Sequence, residues 1–373
     1  MKVLFYQPWM KSKGGIERLM LEYAERSTHE VTLVTHYLSE SFEEYDVEVK
    51  KLTDKTVPEG FLKRGAFTAP RIISGKLDLD DYDVLLVSEA GLGSFITFRN
   101  HEKPVICYCH TPLRAAHQFH SHYREQYGFP KNIFFSFAAS VYRFLEKKAW
   151  KNFDYVFANS QNTAENIRRA DLAEKAEKEV VHPGADLSRF KSKEEEKFFF
   201  YPSRFKRYKR QDLAVKAFEK FSEKVEEDYR LVLAGFPDDK KYVEELRNIS
   251  SDKVEIKTDV SDSEMVDLYS RCTAVLFTAK NEDWGIVPVE AMASGKPVVA
   301  VDEGGPSESV ENWDTGFLVE SEPEEIGSKM SELVGNTKMY KDMCKNSRER
   351  AKEFTWEKFA EKMDKRINEV VEN

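Results

Sequence analysis

Short apolar runs alternate with amphipathic stretches from one end of the chain to the other. In the first half the runs are VLFY at 3, VTLVTHY at 31, YDVLLVSE at 82, VICYCH at 105, YVFANS at 155 and EVVHPGAD at 179. In the second they are FFFYPSR at 198, YRLVLAG at 229, VEIKTD at 254, TAVLFTA at 273, PVVAVD at 297 and GFLVE at 316. Helical patterns such as GIERLMLEYAERS and QDLAVKAFEKFSEKV separate them. Continuous apolar strands divided by helices predict parallel sheets built from βαβ units. The fold class expected is α/β: two doubly wound, Rossmann-like domains facing a cleft, with ligands beyond the carboxyl ends of the strands.

A length of 373 residues agrees with two domains of roughly 150 to 190 residues each. The apolar pattern fades at SRFKSKEEEK, 188–197, which places the boundary at 190/191 and a hinge with it. The expected domains are 1–190 and 191–350, followed by a terminal helix over 351–373. In that helix Trp356, Phe359, Met363, Ile367 and Val370 form one apolar stripe. The stripe fits packing on either domain.

Net charge is 57 − 66 = −9, all of it in residues 191–373, which argues against a nucleic-acid partner. Four cysteines without paired spacing predict neither disulfides nor zinc and suit a reducing cytoplasm. MKVLFYQPW enters a strand directly, and no apolar run approaches a membrane span, so a cytoplasmic protein is expected. Residues 103–151 hold eight Lys/Arg against two Glu. Within them, 131–153 combines Phe134, Phe135, Phe137, Phe144 and Trp150 with Arg143, Lys147, Lys148 and Lys151. This stretch fits two arrangements: a helix resting peripherally on an anionic inner membrane face, or a core helix whose basic side faces water.

The chemistry concentrates in EDWGIVPVEAMASGKPVVAVDEGGPSESV, 282–310. Glu282 lies on a loop and Glu290 on a short helix, and a carboxylate accepts both hydroxyls of a vicinal diol. Gly285 lets backbone N–H groups approach a ligand, and the helix N-terminus behind it favours an anion such as phosphate. Upstream, Arg204 and Lys209 flank a strand-to-helix loop where a planar fork and a compact cation suit a pyrophosphate. Gly14 and Gly15, followed by Glu17, open the first helix, another place for free N–H groups. His110 ends the strand VICYCH. The remaining histidines, His117, His120 and His122 among them, read as structural, as do Asn159, Ser160 and 182–186. Asp78, Asp80, Asp81 and Asp83 read as a solvated turn, and no cluster has metal-ligand spacing.

Residues 282–308 resemble the retaining GT-B-fold glycosyltransferases of family 4, group 1 type. The motif carrying the likeness is acid, two residues, Gly, Pro-Val-Glu-Ala-Met-Ala, Gly-Lys-Pro-Val-Val-Ala, Gly-Gly and Glu308. Arg204 and Lys209 match the family's basic pair, while Lys206, Arg207 and Arg210 match no such role. CHTPLR at 109 and EDWGIVPVEA are similar to the GDP-mannose-dependent mannosyltransferases. The resemblance implies a hexosyltransferase moving mannose from a nucleotide sugar, GDP-mannose first and a UDP-sugar second, to a glycan or lipid-linked acceptor. Front-face substitution with retention, without a divalent metal or other cofactor, is the mechanism it implies. Catalytic roles then fall to Glu282, His110, Arg204 and Lys209. Donor contacts fall to Gly14, Gly15, Arg204, Lys209, Glu282, Gly285, Ile286, Val287 and Glu290. A sugar-nucleotide epimerase or phosphorylase of the same architecture, or a non-catalytic nucleotide-sugar-binding protein, is the alternative. In proteins of this resemblance the last helix returns to the N-terminal lobe.

Overall fold

The structure is a computed structural model that describes residues 1–10, 14–39, 42, 45–56, 61–174 and 176–372, and of 61–64 the backbone alone. It divides into two compact units, Met1–His182 with Phe359–Asn373, and Pro183–Lys358. The division therefore falls at His182/Pro183, ahead of the charged segment 188–197. That segment is tied into the second unit, because Phe190 is buried and the backbone N–H groups of Lys193 and Glu196 donate to Ser270 O and Arg271 O.

The first unit holds β1 (Lys2–Met10), β2 (Glu30–Leu38), β3 (Val49–Lys51), β4 (Val84–Glu89), β5 (Val105–Cys109), β6 (Tyr155–Ala158) and β7 (Glu177–Val180). They form one parallel sheet in the order β3-β2-β1-β4-β5-β6-β7. The second unit holds β8 (Phe198–Pro202), β9 (Arg230–Ala234), β10 (Val254–Lys257), β11 (Ala274–Phe277), β12 (Val298–Val301) and β13 (Gly316–Val319), ordered β10-β9-β8-β11-β12-β13 and again parallel. Each sheet reverses its winding once, between β1 and β4 and between β8 and β11. Such reversals splay the following loops apart and leave a crevice at the strand ends.

Burial follows from helices covering both faces of a parallel sheet. Every residue of β4, β5 and β8 is buried, whereas the edge strands β3 and β10 have the sequences VKK and VEIK and no fully buried residue. Alternation along β8 distributes its rings: Phe199 and Tyr201 join Phe218 and Phe221 on one face, while Phe198 and Phe200 join Tyr269 and Met292 on the other. Ser160 caps the helix Gln161–Arg169 by accepting the Thr163 N–H at 2.9 Å.

The last helix, Trp356–Glu372, packs on the first unit from Phe359 onward, with Phe359, Met363 and Ile367 buried. Asp364 fixes it there. Its carboxylate accepts from the Tyr23 hydroxyl (2.9 Å), the Ser27 hydroxyl (2.7 Å) and both the N–H and the hydroxyl of Thr28 (2.6 and 2.8 Å). The helix Lys131–Ala149 buries Phe135, Ala139, Glu146 and Ala149 and exposes Ile133, Phe134, Phe137, Val141 and Phe144. Among the described residues no helix is long and apolar enough to cross a membrane.

Candidate active site

The reversal between β8 and β11 brings two loops of the second unit together. In the loop after β8, the Tyr201 hydroxyl donates to Lys209 O and the Thr278 hydroxyl donates to Arg210 O at 2.7 Å. Arg210 sits in the left-handed region (φ 51°) and caps the helix Gln211–Ser222. Its guanidinium donates to Thr278 O at 2.7 Å and pairs with Glu303 at 3.0 Å, fastening this loop to the end of β11. Lys209 then reaches over the Phe277 ring to Glu282, Nζ to Oε2 2.5 Å, with both side chains largely buried. Arg204 stands apart, its side chain 47% exposed and its guanidinium 3.5 Å from Asp238.

The loop carrying Glu282 is held from its backbone. Glu282 O accepts the Gly305 N–H at 2.8 Å and Glu282 bridges Gly304 as an isolated parallel pair. The two chains touch so closely that a Cβ on Gly304 (φ +72°) would lie 2.3 Å from Glu282 O, and one on Gly305 would lie 2.2 Å from Trp284 O. Only glycine fits at either position. Gly285 (φ +79°) then opens the helix Ile286–Ala293 without a side-chain cap, so the first-turn N–H groups around the half-buried Ile286 and Val287 form a positive helix end. Glu290, 9% exposed, accepts the Tyr269 hydroxyl at 2.9 Å, and Tyr269 is itself wedged edge-on between Phe190 and Phe200. The second unit therefore gathers Lys209, Glu282, Gly285, Ile286, Val287 and Glu290 beyond the carboxyl ends of its central strands β8 and β11. A cation, two carboxylates and a helix N-terminus together provide for phosphate and for sugar hydroxyls.

In the first unit, Gly14 precedes the helix Gly15–Arg26 in extended conformation and no side chain caps that helix. A Cβ on Gly15 would meet nothing within 4 Å, so internal packing does not require that glycine. Glu17 is buried in the helix's first turn. His110 follows β5, its Nε2 2.9 Å from the Ser88 hydroxyl and its ring edge-on to Tyr108. Burial pushes its pKa down to about 3, so the imidazole is neutral. His117 pairs with Glu146 at 2.6 Å, His120 stacks on Phe135 and His122 lies 3.0 Å from Gln126, each in a structural setting. Asp83 caps the Lys2 N–H at 2.7 Å and Asp78 accepts from Asp80 N, as turn residues do. Among the described residues no group of three or more His, Cys, Asp or Glu is arranged to hold a metal ion.

Two family descriptions tile the chain: "Glycosyltransferase Family 4" matches residues 13–189 and "Glycosyl transferases group 1" matches residues 185–350. The chain belongs to this glycosyltransferase family. The glycosyltransferase is 26% identical over 321 residues to alpha-1,3/1,6-mannosyltransferase ALG2 of Homo sapiens, covering 78% of this chain and 74% of that protein. Among solved structures, Anabaena Alr3699/HepE in complex with UDP and glucose superposes with a TM-score of 0.76 at 20% identity, covering 99% of each chain. Sucrose-phosphate synthase from Thermosynechococcus elongatus superposes with a TM-score of 0.79 at 18% identity, covering 99% and 98%. These likenesses establish the GT-B fold, two parallel-sheet α/β units.

Several polar residues placed by the fold gave no signal in the sequence. Arg210 and Glu303, 93 positions apart, lock the two loops, and Glu303 also accepts the Asn281 N–H at 3.2 Å. Glu89, at the end of β4, is fully buried, and its carboxylate accepts the N–H groups of Gly91 and Ser94. Burial raises its pKa to about 7. The Ser94 and Gly91 contacts oppose the rise and the nearby Glu146 carboxylate adds to it. Because folding lifts this carboxyl from 4.5 to about 7, the folded state holds the proton more tightly over that window. Stability therefore falls as pH climbs from about 4.5 to about 7 and then levels, an effect of up to roughly 3 kcal/mol. Urea denaturation of Glu89→Gln across that range is expected to show a flatter pH profile than the parent. An unchanged profile would assign the slope to another group.

Proposed function

We propose that the glycosyltransferase moves a hexose, mannose as first choice, from GDP-mannose to a lipid-linked or glycan acceptor with retention of anomeric configuration. The observation that carries this reading is the Lys209–Glu282 pair beside the uncapped N-terminus of the helix Ile286–Ala293, with Glu290 buried one turn on. Mannose is favoured because relatives of this similarity are named alpha-1,3/1,6-mannosyltransferases. A UDP-sugar is the second choice, since a structural neighbour is complexed with UDP and glucose.

In this reading Glu290 accepts from the ribose hydroxyls and Glu282 from the hexose. Lys209, Arg204 and the N–H groups at Gly285, Ile286 and Val287 receive the diphosphate, with Gly14 and Gly15 as further N–H donors. His110, neutral, hydrogen-bonds the transferred sugar. Front-face substitution breaks the bond between the anomeric carbon and the diphosphate oxygen while the acceptor hydroxyl bonds on the same face and yields its proton to the departing phosphate. Charge grows on the diphosphate in the transition state, where preorganised cations and N–H groups are most effective. No residue in this scheme needs a divalent metal. The outward phenylalanines of the helix Lys131–Ala149, with Lys147, Lys148 and Lys151 at its end, suit a cytoplasmic protein resting peripherally on an anionic membrane face.

The test is a thermal-shift panel of GDP-, UDP- and ADP-sugars followed by transfer in EDTA to a prenyl-linked glycan in anionic vesicles. A donor at a hundredfold excess over its dissociation constant adds about 2.7 kcal/mol. GDP-mannose is expected to give the largest shift, NMR to show an α-anomeric product, and the protein to sediment with the vesicles. A β-product would refute retention, and tight donor binding without transfer or hydrolysis would leave a sensor instead.

A further inference from the structure

The first unit carries a groove of about 540 Å³ that no step above uses, within the roughly 300–1,000 Å³ of small-molecule sites. One wall is the helix Lys131–Ala149, from Phe134 to Leu145. Ala66 and Ala69 of the helix Phe61–Ser74 form another, and Trp9, Phe95 and Leu113 are among the other lining residues. The lining is almost entirely carbon, and the twelve helical residues from Phe134 to Leu145 span roughly 16 Å at a rise of about 1.5 Å per residue. Small alanines alternate in it with bulky rings. A sugar or nucleotide would lose its hydrogen bonds with water there and regain none. A flexible hydrocarbon chain loses nothing polar and matches the length.

The groove's surroundings bear on what such a chain is attached to. Arg143 reaches the groove through Ala116, a lining residue: its guanidinium donates to Ala116 O at 2.8 Å and to the Ser140 hydroxyl at 3.0 Å, both neutral acceptors. Phe134 and Phe137 line the groove and are also 62% and 67% exposed, so the slot is continuous with the outward apolar face of the same helix. We propose that this groove seats the hydrocarbon tail of a single-chain lipid phosphate, the acceptor's own anchor, with its phosphate meeting Arg143. This rests on the lipid-linked acceptor proposed above and adds a tail-binding subsite that makes chain length a determinant of acceptor choice.

The experiment titrates the full chain with geranylgeranyl phosphate, dimethylallyl phosphate and inorganic phosphate, following tryptophan emission with Trp9 as the reporter in the wall. Groove-filling variants Ala69→Phe and Ala138→Phe come from different walls, so a folding failure in one leaves the other to decide. Geranylgeranyl phosphate is expected to bind at least tenfold more tightly than dimethylallyl phosphate. Filling the groove should abolish that preference while the thermal shift with nucleotide sugars stays intact. Equal binding of the long and short probes by the parent would overturn the proposal. So would a long-chain preference that survives both fillings, since the exposed phenylalanine face would then be binding the tail. If tail binding holds but no nucleotide sugar shifts the melting temperature, the transfer reading fails and the groove stands.

Discussion

Replacing Lys209 by alanine is expected to lower turnover by roughly 10² to 10³, the usual loss for one preorganised charge at a developing anion. Lys209 is placed for this by three constraints: the Tyr201 hydroxyl on its carbonyl, the Phe277 ring under its ammonium and Glu282 2.5 Å away. Lys209, proposed for the phosphate, and Glu282, proposed for the sugar, are in direct contact, so removing either also disturbs the other. The Lys209→Ala/Glu282→Ala double variant should lose less than the product of the two single losses, as groups in contact do. Steady-state transfer with each variant, alongside melting curves showing intact folding, measures both effects. Near-full transfer by Lys209→Ala would remove it from the mechanism.

Asp364→Ala is expected to cost the first unit roughly 3 to 5 kcal/mol, since a buried acceptor disappears from under four donors. Three of those donors are side-chain hydroxyls on Tyr23, Ser27 and Thr28, and the fourth is the Thr28 backbone. Tyr23 also packs edge-on against Phe359, so loss of the carboxylate loosens the apolar seam of the last helix as well. A fall in melting temperature of the order of 10 °C is the expected reading by calorimetry. Asp364→Asn, which keeps one acceptor oxygen and sets an NH2 donor against the Thr28 region whose backbone N–H can only donate, should fall between. A variant melting with the parent would show that the helix is held by its apolar stripe alone.

The strands were legible because parallel sheets bury both faces, so VLLVSE, VICYC and FFFYP read as continuous apolar runs. β3 was not legible, because an edge strand of sequence VKK carries no apolar signal. The donor-side motif was legible as residue types and spacing, yet the reason for Gly304 and Gly305 appears only when the Glu282 loop lies against them. Glu89 looked like any acid closing a strand. Its carboxylate is held by the N–H groups of Gly91 and Ser94, and Gly91 is in turn bonded by the Tyr142 hydroxyl, 51 positions along the chain. The helix Lys131–Ala149 was recognisable, but its orientation was not: Phe134 and Phe135 are neighbours in sequence, and which one turns inward depends on the surface it meets.

The first unit is discontinuous in sequence: residues 1–182 lack the helix that buries Tyr23 and supplies Asp364 until Phe359 and its successors are added. A ribosome releases the entire second unit before that helix. The first-made unit is therefore completed last, and throughout elongation it presents an unfilled hydrophobic furrow and four unanswered donors, the condition in which chaperones engage nascent chains.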